Sequence, residues 1–286
     1  MYKLIKGDSA LKLKEIESSS IDAIITDPPY LYLKHRLDKG FDEDVIFSEL
    51  HRVLKDDGML VIFGRGVSLA RWVVKLDELG FKFLEELVWY KNSHSGFTLP
   101  VLRQHEMMIV FTKGKGRLNK VRIAPKDDVI KWDKLFKNIN YLKNYTKNPK
   151  YQDALTYYMD TGVEVYDLVT GLGNEITATD PTYARTNRAV SQYKTLVEGY
   201  VERTVMEVDH YGNKSHPTQK PTNLMERLIN IASNEGDLIL DPFMGSGSTG
   251  VASLNLNRRF IGIEIDDEYF KTATNRLEEA STNISE

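Results

Sequence analysis

Asp237 to Gly250 reads DLILDPFMGSGSTG: an apolar strand ends on Asp241, a glycine-rich turn follows, and a stretch of helical spacing begins at Ser248. Gly245, Gly247 and Gly250 satisfy G-x-G-x-x-G directly after a strand. Glycines in such a turn let the backbone approach a ligand closely, with a helix N-terminus behind it. The next strand, in RFIGIEID, ends on Glu264, 19 residues past Gly245. A carboxylate at that strand end can accept hydrogen bonds from ribose hydroxyls, so the pair implies an adenosine-containing cofactor. A tight strand–helix turn with no ligand and a nicotinamide dinucleotide site are the competing readings. Against the second, Asp-Pro-Phe-Met puts bulk and a carboxylate between strand and glycine, where a pyrophosphate would have to rest. A phosphate-binding P-loop is disfavoured because no Gly-Lys-Ser/Thr follows.

Working outward, Thr222–Ala232 reads as a helix before this strand, and Asp267–Leu277 as a helix after Phe260–Ile263. The first part of the chain has the same rhythm. Tyr2–Ile5, Asp22–Thr26, Met59–Phe63, Phe83–Tyr90 and Met107–Phe111 read as strands. Ser9–Glu17, Asp44–Leu54 and Leu69–Leu79 read as helices, the second closed by Asp57-Gly58. Alternating strands and helices predict an α/β fold with a doubly wound, mostly parallel sheet. The rhythm lapses after Gly114 in a Lys-, Asn- and Tyr-rich stretch and returns near residue 206. The expectation is one α/β domain built from 1–114 and 206–286, with an insertion over 115–205.

Asp27 to Tyr30 reads DPPY and follows directly on the buried strand DAIIT. Pro28 and Pro29 remove two backbone N–H donors and stiffen the turn. The Asp27 carboxylate and the Pro28 carbonyl can then face one site as acceptors, with the Tyr30 ring as a stacking surface. Two acceptors and a ring suit a flat group carrying an NH2, such as a base flipped out of a duplex. The lone pair of an aromatic amine is delocalised into its ring. Fixed acceptors on both N–H groups localise it on nitrogen, and positioning then carries the reaction without a covalent intermediate.

The 286-residue chain has no cysteine, which removes disulfides, thiolate metal sites and a thiol nucleophile, and with the last the usual route to a cytosine ring carbon. Its hydrophobic content of 41% and charged content of 28% suit a globular protein and exclude disorder throughout. No apolar run suits a membrane span or a signal peptide, so a cytoplasmic location is expected. Twelve Lys or Arg against three Asp between Lys113 and Lys150 make a local charge of +9 and leave −12 for the rest of a chain of net charge −3. A basic block on an acidic body suits a polyanion, although a solvated lysine-rich surface reads alike.

DPPY after a strand, with DPFMGSGSTG far downstream, resembles the amino-methyltransferase family of DNA methylases, in the motif order of its β class. KGDSALKL around Asp8, LVWYK (Leu87–Lys91), HEMMIVFTKG (His105–Gly114) and HPTQKP (His216–Pro221) are similar to further family segments, leaving only about 115–205 unmatched. The resemblance implies a Rossmann-like S-adenosylmethionine-dependent fold whose insertion recognises the DNA target. It gives Asp27, Pro28, Pro29 and Tyr30 the target base. Asp241, Phe243, Gly245, Ser246, Gly247 and Thr249 would line the S-adenosylmethionine site beside Asp27, with Glu264 on the ribose and Asp8 at the adenine end. Lys220 and Pro221 would close over the methionine part.

In this family Asp at the first motif position goes with adenine N6 and Ser with cytosine N4, so Asp27 favours adenine. Lys115, Arg117, Lys120, Arg122, Lys126, Arg185 and Arg188 are the expected DNA contacts. Residues 31–43 are expected to form a loop that orders over the flipped base. Duplex DNA is the implied partner, with a homodimer and a cognate restriction enzyme as further implications; no metal is implied. Cytosine-N4 or RNA methylation, a nicotinamide-dependent oxidoreductase and a non-catalytic DNA-binding protein remain as rivals.

Overall fold

The computed structural model describes residues 1–30, 40–95, 100–123, 199–209 and 219–285. The chain divides into two compact units, Met1–Val121 with Arg203–Glu286, and Arg122–Glu202.

The first unit is an eight-stranded sheet. Its strands are β1 (Tyr2–Lys6), β2 (Ile21–Thr26), β3 (Leu54–Gly64), β4 (Lys82–Ser95), β5 (Arg103–Thr112), β8 (Val205–Glu207), β9 (Leu238–Asp241) and β10 (Arg259–Glu264), in the order β1-β10-β9-β2-β3-β5-β4-β8. β5 runs antiparallel to β3 and β4, and the other pairings are parallel. β9 leads to β10 on one side, whereas β2 on its other side is reached from β1 at the far edge. The direction of winding therefore reverses between β9 and β2, and the crevice outside the carboxyl ends of such strands is where open α/β sheets bind ligands.

Both faces of the sheet are covered, which is why its strands read as unbroken apolar runs. Along β2, Ile24 points to one face and Ala23 and Ile25 to the other. The Ile24 side packs under α2 (Glu43–Val53) and α3 (Gly66–Glu78), through Ile46, Phe47, Leu50, Trp72 and Leu76. The opposite side packs under α4 (Thr222–Ala232), α5 (Ser248–Asn255) and α6 (Asp267–Ser285), through Leu224, Leu228, Ala252, Ala273 and Leu277. α2 starts where Asp42 accepts a hydrogen bond from the Val45 N–H at 3.0 Å. Glu43 and Asp44 in its first turn, with His51 and Arg52 in its last, suit its dipole.

Two local expectations differ from the structure. Ser9–Glu17 is a short helix α1 (Ser9–Lys12) followed by a 3-10 turn (Leu13–Glu15). Asp57-Gly58 lies inside β3 and does not separate helix from strand, because the pairing of β2 with β3 jumps from Ile21↔Leu54 to Ala23↔Met59. A Cβ on Gly58 would meet the Leu54 side chain at 2.7 Å and the Asp22 carbonyl at 2.9 Å, so that irregularity needs glycine.

The unit boundaries also fall inside the expected insertion limits of 115 and 205. Residues 115–121 stay with the sheet because Asn119 binds the end of α4: its N–H donates to the Ile231 carbonyl at 2.8 Å and its amide to Ser233 at 2.9 Å. In the second unit, β6 (Arg122–Ile123) pairs antiparallel with β7 (Tyr200–Val201), and Arg122 donates to the Gly199 carbonyl at 3.0 Å. Among the described residues no helix is long and apolar enough to cross a membrane.

Candidate active site

The DPPY turn and the glycine loop leave the sheet side by side, since β2 and β9 are parallel neighbours with Ile24 opposite Leu240. One carboxylate joins them. Asp241 accepts from the Thr26 hydroxyl of β2 at 2.9 Å, the Thr249 hydroxyl at 2.6 Å and the Phe243 N–H at 3.0 Å. Only 4% exposed, it is pushed by burial up to about 6 despite those three donors. Asp241 and Thr249 therefore face their own loop and hold it to β2.

Within the loop, Gly247 has φ +79° and precedes α5, and a Cβ there would crowd Leu277 and Ala273 of α6. Gly245, at φ +51°, has nothing within 4 Å of its absent side chain. Its N–H donates to one Glu264 oxygen at 2.9 Å, and the Asp266 N–H donates to the other at 2.7 Å. Burial raises the Glu264 carboxyl. The backbone N–H groups of Asp266, Gly245 and Ile265 oppose that rise. Open space over Gly245 beside this carboxylate fits an adenosyl group.

Asp8 is exposed and caps α1, accepting from the Ala10 N–H at 2.8 Å, next to the β1–β10 ladder that ends at Lys6↔Glu264. The Ser9 hydroxyl donates to the Pro242 carbonyl, and the half-buried Phe243 ring lies 5.1 Å from Phe41. Arg276, which sequence reasoning missed, donates to the Ser246 carbonyl at 2.6 Å and its hydroxyl at 3.1 Å, and to the Ser248 hydroxyl at 3.3 Å. Its only sequence signal is a charge beside Ala273 and Leu277 on the buried face of α6.

At the end of β2, Asp27 accepts from the Tyr30 hydroxyl on one oxygen and the Lys220 ammonium on the other. Tyr30 is held by Ser68, whose hydroxyl donates to its carbonyl at 3.0 Å, and by Trp72 at 6.1 Å between ring centroids. Pro28 is buried, Pro29 half-buried, and Pro221 starts α4. The Lys220 ammonium also lies 3.2 Å from Glu106 and 5.0 Å from the centre of the Phe63 ring. Glu106 takes a hydrogen bond from Lys91. Burial pushes Asp27 up and Lys220 pulls it down, for a net rise. Glu106, facing both lysines, is held at about 2, and its two carboxylate neighbours raise Lys220. The cluster thus keeps Lys220 charged and on Asp27. Glu106 and Lys91 also escaped the sequence reading, although HEMM and LVWYK contain them.

Three of the expected DNA contacts, Lys115, Arg117 and Lys120, follow β5. β5 runs backward, so Met107 faces Gly64 at the carboxyl end of β3 while Thr112 faces Met59 at its middle. Lys115, Arg117 and Lys120 follow Thr112, exposed, at the edge of the sheet opposite Asp27. Arg122 belongs to the second unit, and Lys126, Arg185 and Arg188 lie outside the described residues, as do 31–39 of the expected loop.

Residues 21–275 match the N6/N4 DNA methylase family. The chain is 28% identical to the type II methyltransferase M.HpaI of Haemophilus parainfluenzae, over 96% of this chain and 74% of that protein. It is 30% identical to the DNA adenine methyltransferase YhdJ of Escherichia coli K12, over 97% of this chain and 83% of that one. A solved M1.HpyAVI–SAM complex superposes with a TM-score of 0.59 at 26% identity, covering 97% of this chain and 99% of that one.

Proposed function

The chain belongs to the N6/N4 DNA methylase family, and we propose that it transfers a methyl group from S-adenosylmethionine to N6 of adenine in duplex DNA, acting on a flipped base. The carrying observation is the Asp27 carboxylate at the end of β2, held by exchangeable donors beside a glycine loop that suits an adenosyl group. The similarity to an adenine methyltransferase and the Asp in DPPY support adenine over cytosine N4.

In this reading Glu264 binds the ribose and the backbone at Gly245 admits the adenosyl group. The bound cofactor supplies an electrophilic methyl on a sulfonium. Asp27 accepts an N–H from the exocyclic amine and, with the Pro28 carbonyl, localises the nitrogen lone pair toward that methyl. Tyr30 offers its ring to the base and its hydroxyl to Asp27. The inserted residues 115–205, without 115–121 where these join the sheet, read the target sequence. The same reading places the protein in the cytoplasm as a homodimer on DNA. The type II name of the Haemophilus relative supports a companion restriction enzyme.

Incubation of the protein with radiolabelled S-adenosylmethionine and duplex DNA from a methylation-deficient host, followed by digestion to nucleosides, tests the proposal. Label in N6-methyladenine, lost in Asp27→Ala, is expected. Label in N4-methylcytosine overturns the base assignment, and no label in DNA overturns the substrate.

A further inference from the structure

Lys91, Glu106, Lys220 and Asp27 form a row of alternating charges, all with mostly covered side chains. Lys91 and Glu106 come from the β4–β5 hairpin, in which Trp89 faces Glu106. Lys220 precedes α4. One Glu106 oxygen is satisfied by Lys91, whereas its Oε2 is buried and has no hydrogen-bond partner among the described residues. That orphan atom lies 3.2 Å from the Lys220 ammonium, within Coulombic reach but out of hydrogen-bond alignment. The ammonium thus lies between two carboxylates and is hydrogen-bonded to Asp27 alone of the two. Asp27 in turn already holds two donors, Tyr30 and Lys220.

We propose that Glu106, anchored by Lys91, is a positioning residue that draws the Lys220 ammonium off Asp27 when an amino group arrives, leaving Asp27 to accept the amine N–H. The proposal rests on the reading of Asp27 as the amine acceptor. The exchange leaves no charge without a partner. Glu106 Oε2 gains the bond it lacks, Asp27 trades a charged donor for a neutral one, and the ammonium stays between the same two carboxylates. An ammonium is a compact charge with three rotatable donors, so a small turn suffices. Removing one member of a buried charge row leaves its neighbour uncompensated. Without the Glu106 charge, Lys220 has only Asp27 and stays bound to it.

Among the described residues, the charged and titratable groups around Asp27 are Tyr30 on its own turn, Lys220 before α4, Glu106 with Lys91 behind it on the hairpin, and Asp241 on β9. Of these Glu106 raises the Asp27 carboxyl and Lys220 lowers it. In Glu106→Gln the raising charge is gone and the lysine sits tighter, so Asp27 should titrate at lower pH. Carbon-13 carboxyl titration of the free protein reads this without DNA or cofactor. A fall in the Asp27 midpoint by about half a pH unit or more is expected in Glu106→Gln, with Glu106→Asp near wild type. An unmoved midpoint overturns the competition for Lys220.

Methyl transfer to duplex DNA reads the second half. Glu106→Gln should lower kcat by about tenfold or more with the KM for DNA little changed, and Glu106→Asp should restore part of it. Wild-type kcat in Glu106→Gln, in a protein whose thermal unfolding shows it folded, overturns the positioning role. A wild-type protein that methylates no amine breaks the reading of Asp27 instead, while the carboxyl titration still decides whether Glu106 competes for Lys220.

Discussion

Neighbouring parallel strands β2 and β9 each deliver an aspartate to the same crevice, and burial raises both. Asp241 is surrounded by two hydroxyls and a backbone N–H that belong to its own loop and to β2. Those donors are built into the turn and cannot leave without dismantling it. Asp27 is surrounded by the ends of two long side chains, a phenol and an ammonium, which can move aside. Burial alone therefore does not mark a reactive carboxylate. Whether its partners can be exchanged does.

The largest effect expected from this contrast is on turnover. Asp27→Ala should cut methyl transfer by about 10²–10³-fold or more, the scale for losing one preorganised hydrogen bond at a reacting group. Calorimetric binding of S-adenosylmethionine should survive, since Glu264 and Gly245 are untouched, and Lys220 keeps Glu106. Loss of cofactor binding together with activity would erase the distinction between the two aspartates.

Asp241→Asn should act on stability instead. The native carboxyl titrates near 6 against an ordinary value of 3.8, so between these the folded state binds more protons than the unfolded one. Its stabilising contribution is full below 3.8 and is lost as pH rises through 6. The stability of wild type relative to the variant should therefore fall by up to about 3 kcal/mol from pH 3.8 to neutrality. Urea unfolding of both proteins across that range checks the sign, and a difference independent of pH would return Asp241 to an ordinary carboxylate.

Glu264→Ala should weaken S-adenosylmethionine about tenfold to a hundredfold, through the lost ribose hydrogen bonds and the unpaired N–H groups of Gly245 and Asp266. Calorimetry decides, and unchanged affinity would move the ribose elsewhere.

The part of this contrast that the sequence shows is the local part. DAIIT and LILD read as buried strands because both faces of the sheet are covered, and the two motifs follow them at once. The roles of Asp241, Arg276, Glu106 and Lys91 depend on groups that meet only through the sheet order. Thr26 lies 215 residues from Asp241, and Lys220 lies 193 from Asp27. No spacing rule spans such distances. Gly58 misled for a different reason, since a turn signal and a strand irregularity both demand glycine.

The smallest effect sharpens the comparison by direction rather than by residue type. The basic run that begins after the HEMM strand is an expected DNA contact by its charge. β5 is the one strand of this sheet that runs antiparallel to both its neighbours, and it carries the chain away from Asp27 before the run begins. Lys115→Ala, Arg117→Ala and Lys120→Ala together should therefore leave kcat unchanged and alter the salt dependence of DNA binding little. Each lost phosphate contact would instead reduce the slope of log K against log salt by about 0.9. A reduction near 3 in the triple variant would mean that bound DNA reaches round to the amino ends of the strands. Both edges of the sheet, and not only the one bearing the aspartates, would then be part of the interface.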